Sequence, residues 1–387
     1  MTAERCVCVF APNWLGDAVM ALPAIADLRR HFAGARFVVA ARPSVASLFE
    51  LVPGIDAVVT LQWRARLFSG RTLQEDIVAL RTSCNPAARD GDSSGVHGVA
   101  LMLPNSFATA WLAKRALFVE RWGYATDWRR QLLTRPVRQP RASMHQGRYY
   151  QHLTEALGIV NGPLEPQVDV PEGVREKTRE QLSRAGWDGR QTLVAMAPGA
   201  AYGTAKRWLP KYFAEVIALL QRDHKVRTVL VGSAGDAETI RIILRQESAR
   251  GAQPIDMVGA TSLHGLAGVL AMSAACLSND SGAMHLAGAI GTPVVALFGP
   301  TRETETAPLT RADGYRDVLI NPVWCRPCML RECPIDHRCM KGLRPALVLE
   351  SVARAIAQAS NPNKGVGRAL SGPPGEADGL RPTRIDA

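Results

Sequence analysis

Short apolar runs alternate with amphipathic segments along the chain. A strand covered on both faces reads as a continuous apolar run, whereas a surface helix repeats its apolar positions about every 3.6 residues. In the first half this pattern predicts strands at 6–12, 36–42, 56–61 and 99–103. It predicts helices at 16–32, where Pro23 marks a bend or a late start, and at 44–52 and 106–117. The stretch between the third and fourth strands is less regular and includes the loop-like residues 85–98.

The same alternation begins again near residue 191. It predicts strands at 192–198, 226–232, 275–280 and 292–300, and helices at 209–223, 236–248 and 263–273, with a further helix-like segment from 281. Strands that alternate with helices indicate βαβ units and parallel sheets. We therefore expect an α/β fold of two Rossmann-like, doubly wound domains that face each other across a cleft, with ligands beyond the carboxyl ends of the strands.

Proline and glycine mark the boundaries of these domains. The stretch 161–174 is rich in both, so we place the N-terminal domain at 1–170 and the C-terminal domain at 171–359. Residues 360–387 are rich in glycine, proline and charge, which predicts a tail that does not fold.

Composition supports a soluble globular protein. The chain has 387 residues, of which 47% are hydrophobic and 21% charged. Apolar runs stay well below the roughly 18–20 residues of a membrane span. The N-terminus is a poor signal peptide, because Glu4 and Arg5 precede a short apolar run and polar residues follow it. We therefore expect a cytoplasmic protein.

The net charge of +11 is concentrated in one segment. Residues 114–148 contain nine Lys or Arg but only two acids, Glu120 and Asp127, so their surface should attract polyanions. The segment contains no nucleic-acid-binding motif, which argues against a nucleic-acid partner. An anionic membrane surface or a phosphorylated lipid fits the charge, and so does a merely solvated basic face.

Polar loops follow several of the predicted strands. They occupy 11–17, 197–208, 231–236 and 278–285. The last places Asp280, Ser281 and Gly282 directly before a helix-like segment, which is consistent either with a simple helix cap or with a phosphate- or sugar-binding helix start. The dinucleotide fingerprint G-x-G-x-x-G and the Walker A loop are both missing, which disfavours a dehydrogenase or an ATPase.

Four motifs in order carry a family resemblance. They are "APNWLGD" (11–17), "LPNSF" (103–107), "PGAAYGTAKRWLP" (198–210) and "NDSGAMHLAGAIGTPVVALFGPT" (279–301). Together they resemble the ADP-heptose:lipopolysaccharide heptosyltransferases of glycosyltransferase family nine, over about residues 5–357. "LPNSF" and the "PGAAYGTAKRW" loop are most similar to the branch that adds the second inner-core heptose.

The resemblance implies a GT-B fold and an inverting transfer that needs no catalytic metal or other cofactor. The implied donor is ADP-heptose, bound mainly by the C-terminal domain. The implied acceptor is lipid A–Kdo–heptose, met at the inner leaflet of the cytoplasmic membrane by a peripherally associated enzyme.

The resemblance also implies roles for individual residues. Asp17 resembles the general base, Lys206 the lysine that pairs with the donor diphosphate, and Asp236 an acid that binds the ribose hydroxyls. The remaining implied donor-site residues are Gly199, Asp280, Ser281, Gly282 and His285, and the implied acceptor-site residues are Asn13, Asn105 and Ser106. The loop departs from the family form "PGAEFG" at Ala201, which stands in place of Glu.

Simpler roles remain open for three of these residues. Asp17 could be a helix-capping carboxylate, Lys206 a solvated surface lysine and His285 a packed core histidine. For the first two, the motif context favours the functional role.

Four of the eight cysteines form a cluster. Cys325, Cys328, Cys333 and Cys339 have the spacing C-x2-C-x4-C-x5-C, with His337 among them. This spacing favours a structural zinc or iron site, with reduced thiols in a structured loop as the alternative. The other four, Cys6, Cys8, Cys84 and Cys276, are scattered and need no function beyond burial.

Two other functions remain open at this point. One is a family-nine transferase that acts on another core sugar or on a protein hydroxyl. The other is a non-catalytic GT-B protein that binds nucleotide sugar or lipopolysaccharide. Asp17 argues against the second, because binding alone does not require a carboxylate directed into the cleft.

Overall fold

The computed structural model describes residues 6–63, 70–86 and 96–359. The predicted tail at 360–387 and most of the loop-like stretch 85–98 lie outside the described residues. The chain divides into two compact units, one ending at Asp169 and the other beginning at Val170.

The first unit is built on six parallel strands. These are β1 (Cys6–Phe10), β2 (Arg36–Ala41), β3 (Ala57–Thr60), β4 (Val96–Met102), β5 (Phe118–Tyr124) and β6 (Arg135–Val137). Its helices are α1 (Leu15–Met20), α2 (Leu22–His31), α3 (Arg71–Cys84), α4 (Phe107–Arg115) and α5 (Gln146–Ala156), with 3-10 turns at Ala46–Leu51 and Arg130–Leu132. The strands follow the order β3-β2-β1-β4-β5-β6, so the winding direction reverses between β1 and β4.

The second unit repeats this arrangement. Its strands are β7 (Leu193–Ala197), β8 (Arg227–Leu230), β9 (Ile255–Asp256), β10 (Ala275–Asn279), β11 (Val294–Phe298) and β12 (Arg316–Ile320). Its helices are α6 (Glu172–Arg184), α7 (Pro210–His224), α8 (Ala237–Arg245), α9 (Glu247–Ala252), α10 (Leu263–Met272), α11 (Gly282–Ile290), α12 (Glu303–Thr306), α13 (Arg338–Lys341) and α14 (Pro345–Ala359), with 3-10 turns at Thr204–Lys206 and Ala234–Asp236. The sheet order is β12-β11-β10-β7-β8-β9, and the reversal lies between β7 and β10.

Each sheet has its own apolar core. In the first unit, Phe10, Val38 and Leu73 belong to a cluster that packs the sheet against its helices. In the second, Met196, Trp208 and Val352 belong to the corresponding cluster. Because helices cover both faces, the central strands β1, β7, β10 and β11 are buried along their whole length, which explains their continuous apolar sequences. The predicted α/β class and the two Rossmann-like domains are confirmed.

Three predicted helices differ in detail. The segment 16–32 forms two helices, and Pro23 lies in the first turn of the second, where its missing N–H costs no hydrogen bond. The segment 44–52 contains a 3-10 helix, Ala46–Leu51, and not an α-helix; helical pieces this short commonly take the tighter 3-10 form. The segment 236–248 is interrupted at Gln246, whose extended backbone separates α8 from α9.

The pattern missed several elements. They include the strands β5, β6, β9 and β12, of which all but β5 lie at an edge of their sheet, and the helices α3, α5, α6 and α14. Strand β5 carries Glu120 and Arg121 in its middle, and α6 buries few of its side chains, so neither shows a clear apolar pattern. Within the described ranges, no helix combines the length and apolarity that crossing a membrane requires.

Three of the scattered cysteines meet in the first unit. The thiol of Cys84, at the end of α3, contacts those of Cys6 and Cys8 on β1. Burial raises the pKa of the Cys8 thiol, so this group of thiols stays protonated and behaves as apolar packing.

Candidate functional site

Asp17 lies at the switch point of the first sheet. It follows the carboxyl end of β1 and is the third residue of α1, whose N-cap position belongs to Trp14. Asn13 and Trp14 are exposed beside it, whereas Asp17 is half-buried. Burial raises the pKa of the Tyr150 phenol, and the nearby Asp17 carboxylate raises it further. The carboxylate is therefore close to a buried phenol, and it lies beyond the carboxyl ends of the strands, where doubly wound folds bind their ligands.

The loop after β4 occupies the other side of the same switch point. Asn105 is exposed there, and its Nδ2 donates a hydrogen bond to the Tyr149 hydroxyl at 2.7 Å. Ser106 is the N-cap residue of α4. The predicted acceptor residues Asn13, Asn105 and Ser106 thus lie on the two loops that flank the point where the winding reverses.

A buried arginine holds the loop after β4 in place. The Arg129 guanidinium donates to the carbonyl oxygens of Tyr124 (2.8 Å), Pro104 and Ser106 (3.3 Å). Burial lowers the pKa of Arg129 to about 10. Its side chain is 0% exposed, so the prediction that Arg129 belongs to an exposed basic face is wrong. Carbonyl oxygens of the loop satisfy the cation in place of water.

Part of the basic segment forms a surface that we call the basic depression. It is a concave region of about 420 Å³ lined by Ala125, Thr126, Arg130, Pro136, Arg138, Gln139 and Arg141. The three arginines are exposed, and Trp128 is 93% exposed nearby in the chain. Three cations and an exposed indole can bind an anionic surface or a phosphorylated ligand.

In the second unit, Asn279 organises the loop that carries Lys206. Asn279 is the last residue of β10 and is fully buried. Its Nδ2 donates to the Pro198 carbonyl at 2.7 Å, and its Oδ1 accepts from the Trp208 N–H at 3.0 Å. One amide therefore fixes both ends of the loop 198–208, which begins at the carboxyl end of β7.

Lys206 and Asp280 form a buried ion pair. The Lys206 Nζ lies 2.6 Å from Asp280 Oδ2, and the side chains are 13% and 5% exposed. The Thr301 hydroxyl donates to the same Asp280 oxygen at 2.6 Å. The Lys206 Nζ also lies 4.9 Å from the centre of the Tyr202 ring. The ammonium is thus oriented by a carboxylate and an aromatic face, and a Lys ammonium has three N–H donors to distribute.

The helix α11 begins directly after this pair. Ser281 is its N-cap, and its hydroxyl lies 3.0 Å from the Ser278 hydroxyl. Gly282 is its first residue, so a ligand at the helix start would meet backbone N–H groups with little side-chain obstruction. His285, one turn in, is 3% exposed.

Asp236 and Gly199 pack against each other. A Cβ added to Gly199 would lie 2.2 Å from the Asp236 Cγ, so only glycine fits there. Asp236 Oδ2 accepts from the Ser233 N–H (3.0 Å) and hydroxyl (2.8 Å), and Oδ1 lies 3.8 Å from Arg207 Nη2. These contacts give Asp236 a structural task at the end of β8, and its role toward a ribose stays a prediction.

The four clustered cysteines line one small cavity. Cys325, Cys328, Cys333 and Cys339 surround a space of about 20 Å³, with His337 and Ala205 also at its wall. The His337 N–H donates to the Cys333 Sγ at 3.3 Å. Burial, together with the other three thiols, raises the pKa of Cys339 to about 11. As the side chains are placed within 6–63, 70–86 and 96–359, no three Cys, His, Asp or Glu groups are arranged to hold a metal ion.

Sequence reasoning missed several residues that shape these sites. Asn279, Thr301 and Tyr202 occur inside the quoted motifs, but their partners are far away in the chain. A polar residue at the very end of an apolar strand is the signal that could have identified Asn279. Arg129 and Tyr149 carry no such signal, because their roles depend on contacts across the unit.

Comparison with known proteins finds a family match and similar heptosyltransferases. Residues 96–338 match the family Glycosyltransferase family 9 (heptosyltransferase). The chain is 25% identical over 354 residues to lipooligosaccharide heptosyltransferase 2 of Campylobacter jejuni serotype O:6, covering 89% of this chain and 98% of that protein. It is 28% identical over 314 residues to lipopolysaccharide heptosyltransferase 2 of Escherichia coli K12, covering 79% and 85%.

Solved structures show the same fold. The structure of the E. coli ADP-heptose lipopolysaccharide heptosyltransferase II matches with a TM-score of 0.73 at 25% identity, covering 91% of this chain and 98% of that one. A glycosyltransferase family 9 structure from Veillonella parvula matches with a TM-score of 0.76 at 21% identity, covering 92% and 99%.

Proposed function

The chain belongs to glycosyltransferase family 9, and from this premise we propose that it moves L-glycero-D-manno-heptose from ADP-heptose to the first heptose of the lipopolysaccharide inner core. The chain is a family 9 glycosyltransferase, and its relatives include heptosyltransferases of the lipopolysaccharide core. The donor, the acceptor and the stereochemistry form the proposal.

The donor assignment rests on one observation above all. Lys206 is held 2.6 Å from Asp280, immediately before the N-terminus of α11 and at the switch point of the second sheet. A nucleotide-sugar donor departs as a diphosphate, so negative charge grows there in the transition state. An oriented ammonium and a helix start that offers free N–H groups stabilise that charge without further reorganisation.

Asp280 helps Lys206 in an indirect way. As an acid it would repel a diphosphate, but its Oδ2 already accepts from Lys206 and Thr301. We assign it to positioning: one ammonium N–H is used by Asp280 and the others are left for the diphosphate oxygens. The positive charge required by the leaving group then comes from the protein, and for this reason we propose a transfer that needs no catalytic metal.

The acceptor assignment rests on the first unit. A sugar hydroxyl is a poor nucleophile until its proton is removed, so the reaction needs a general base. Asp17 lies beyond the carboxyl end of β1, where doubly wound folds bind their ligands. Asn13 lies on the loop after β1, and Asn105 and Ser106 lie on the loop after β4. We propose that Asp17 accepts the proton of the attacking hydroxyl while these loops orient the acceptor. Attack opposite the departing diphosphate makes the transfer inverting.

The basic depression gives the acceptor a surface to approach. Arg130, Arg138 and Arg141 can pair with phosphates on the inner core or with anionic lipid headgroups, and Trp128 can enter the interface between headgroups and acyl chains. We therefore propose a cytoplasmic enzyme that associates peripherally with the inner leaflet of the inner membrane.

The test uses a matched panel of acceptors. The purified protein is incubated with ADP-heptose and with core acceptors that end at Kdo, at the first heptose or at the second heptose, without added divalent metal. We expect ADP release and a product one heptose heavier only with the acceptor that ends at the first heptose, and an anomeric configuration opposite to that of the donor. Transfer to the Kdo-ended acceptor, or retention of configuration, would contradict the proposal.

A further inference from the structure

The segment 325–339, which we call the cysteine segment, contacts residues 202–205 of the loop 198–208, which we call the Lys206 loop. The Tyr202 hydroxyl donates to the Met329 carbonyl at 2.8 Å, and the Ala205 N–H donates to the Arg331 carbonyl at 2.9 Å. The His337 Nε2 lies 2.6 Å from the Ala205 carbonyl oxygen. The approach is close, since a Cβ on Gly203 would lie 2.3 Å from the Arg331 oxygen.

The same segment contacts the loop that follows β11. Arg326 donates to the carbonyl oxygens of Gly299 (2.9 Å) and Thr301 (3.0 Å), and pairs with Glu303 at 2.7 Å. Thr301 is the residue whose hydroxyl binds Asp280. The cysteine segment therefore supports both members of the Lys206–Asp280 pair through the loops that carry them.

Apolar packing does not explain how the segment keeps its own shape. Its larger apolar side chains, Met329, Leu330 and Ile335, are 41–48% exposed. Four cysteines instead line a cavity of about 20 Å³. That volume is close to the space one water-sized particle occupies, so it suits a single ion and excludes a larger ligand.

We propose that Cys325, Cys328, Cys333 and Cys339 bind one zinc or iron ion, and that this centre holds the cysteine segment against the Lys206 loop. Four cysteine sulfurs are a ligand set of structural zinc and iron sites, and the ion displaces the thiol protons as it binds. As placed, the thiols do not point at one centre. Each thiol turns about its χ1 torsion, and on this proposal metal binding draws the four sulfurs toward one centre.

The consequence for the donor rests on the proposed function. If the Lys206 loop binds the donor diphosphate, a metal-tied cysteine segment presents that loop already ordered. Loss of the metal would release the loop, and ADP binding would then have to order it again. The metal content itself does not depend on the donor assignment, so the two ideas can fail separately.

The experiment measures metal content and ADP affinity on the full chain purified without an affinity metal. We expect about one equivalent of zinc or iron per chain by elemental analysis. Cys328→Ser removes an exposed thiol and should lower that content to about a tenth of an equivalent or less. Cys84→Ala, which alters a buried thiol in the first unit, is the matched control and should keep the metal.

Calorimetry with ADP then tests the coupling. Cys328→Ser should bind ADP roughly tenfold more weakly than the parent. A tenfold loss is about the cost of immobilising one flexible side chain of the loop on binding. Tyr202→Phe keeps the ring beside Lys206 but removes the bond to Met329, so it should keep the metal and lose a few-fold in affinity.

Each result has a defined meaning. A parent protein without metal refutes the proposed metal site. A metal that is lost in Cys84→Ala but kept in Cys328→Ser refutes it as well. A metal-free Cys328→Ser that binds ADP like the parent overturns the coupling. A parent that holds its metal but does not bind ADP refutes the donor assignment and leaves the metal centre standing.

Discussion

Lys206→Met is the substitution that best tests the donor site. It keeps an unbranched apolar side chain and removes the ammonium that lies 4.9 Å from the centre of the Tyr202 ring. A charge-assisted contact to a diphosphate contributes about 1.5–3 kcal/mol. Since about 1.4 kcal/mol corresponds to a factor of ten, ADP should bind roughly 10- to 150-fold more weakly.

The same substitution should also lower stability. The Asp280 side chain is 5% exposed, and removal of one partner from a buried pair costs about 3–5 kcal/mol. The Thr301 hydroxyl still donates to Asp280, so we expect the lower end of that range. An affinity loss measured alone would therefore mix a missing contact with a disturbed loop.

A double variant separates the two effects. Asp280→Asn removes the uncompensated charge and keeps an oxygen that can accept from Thr301. Lys206→Met with Asp280→Asn should thus regain much of the stability of the parent without regaining ADP affinity. Lys211→Met is the matched control, because Lys211 is exposed and also lies over a tyrosine ring, that of Tyr212, at 5.4 Å.

The measurements are ADP calorimetry and thermal unfolding on the parent and on these three variants. Unchanged ADP affinity in Lys206→Met would place Lys206 outside the donor site. Affinity that returns to the parent value in the double variant would mean that Lys206 acts only through the stability of its loop. An equal loss in Lys211→Met would point to a general electrostatic effect of net charge.

Three further predictions concern other parts of the site. Asp17→Asn should lower turnover at saturating donor and acceptor by about 10²–10⁴, with ADP affinity and thermal stability near those of the parent; turnover within a few-fold of the parent would rule out the general base. Gly199→Ala should destabilise the protein by roughly 1–3 kcal/mol, because the new Cβ meets the Asp236 carboxyl group. Gly173→Ala, with open space around it, is the control and should not destabilise the protein; equal unfolding temperatures for the two variants would refute the close packing. Replacement of all three arginines of the basic depression by glutamine should weaken sedimentation with anionic vesicles and flatten its salt dependence; binding like that of the parent would leave the depression a solvated face.

The sequence determined the architecture because the local pattern and the final packing agree. Strands such as β7 and β11 are apolar throughout, and they are central strands covered on both faces. Pro23 is expected to mark either a bend or a late helix start, and it lies in the first turn of α2. Where charge or sparse burial hides the pattern, as in β5 and α6, the elements could not be seen in advance.

The candidate site was foreseen as a set of loops and not as a set of contacts. The end of each parallel strand is visible in the sequence, so the placement of Asp17, Lys206 and Asp280 beyond the carboxyl ends of strands follows from the alternation alone. The partners of these residues do not follow from it. Nothing local pairs Asn279 with Pro198 and Trp208, or places the cysteine segment against Tyr202 and Ala205.

Arg129 shows most clearly where local information ends. In the sequence it is one of nine basic residues in a charged segment, and it was assigned to the surface with the others. In the fold it is fully buried and holds the Pro104–Ser106 turn through carbonyl oxygens more than 20 residues away in the chain. The sequence alone determined which segments become strands and helices, because that depends on periodicity along the chain. Only the tertiary structure decided which charge faces water and which is satisfied inside, because that depends on the carbonyl oxygens that distant segments bring to the same place.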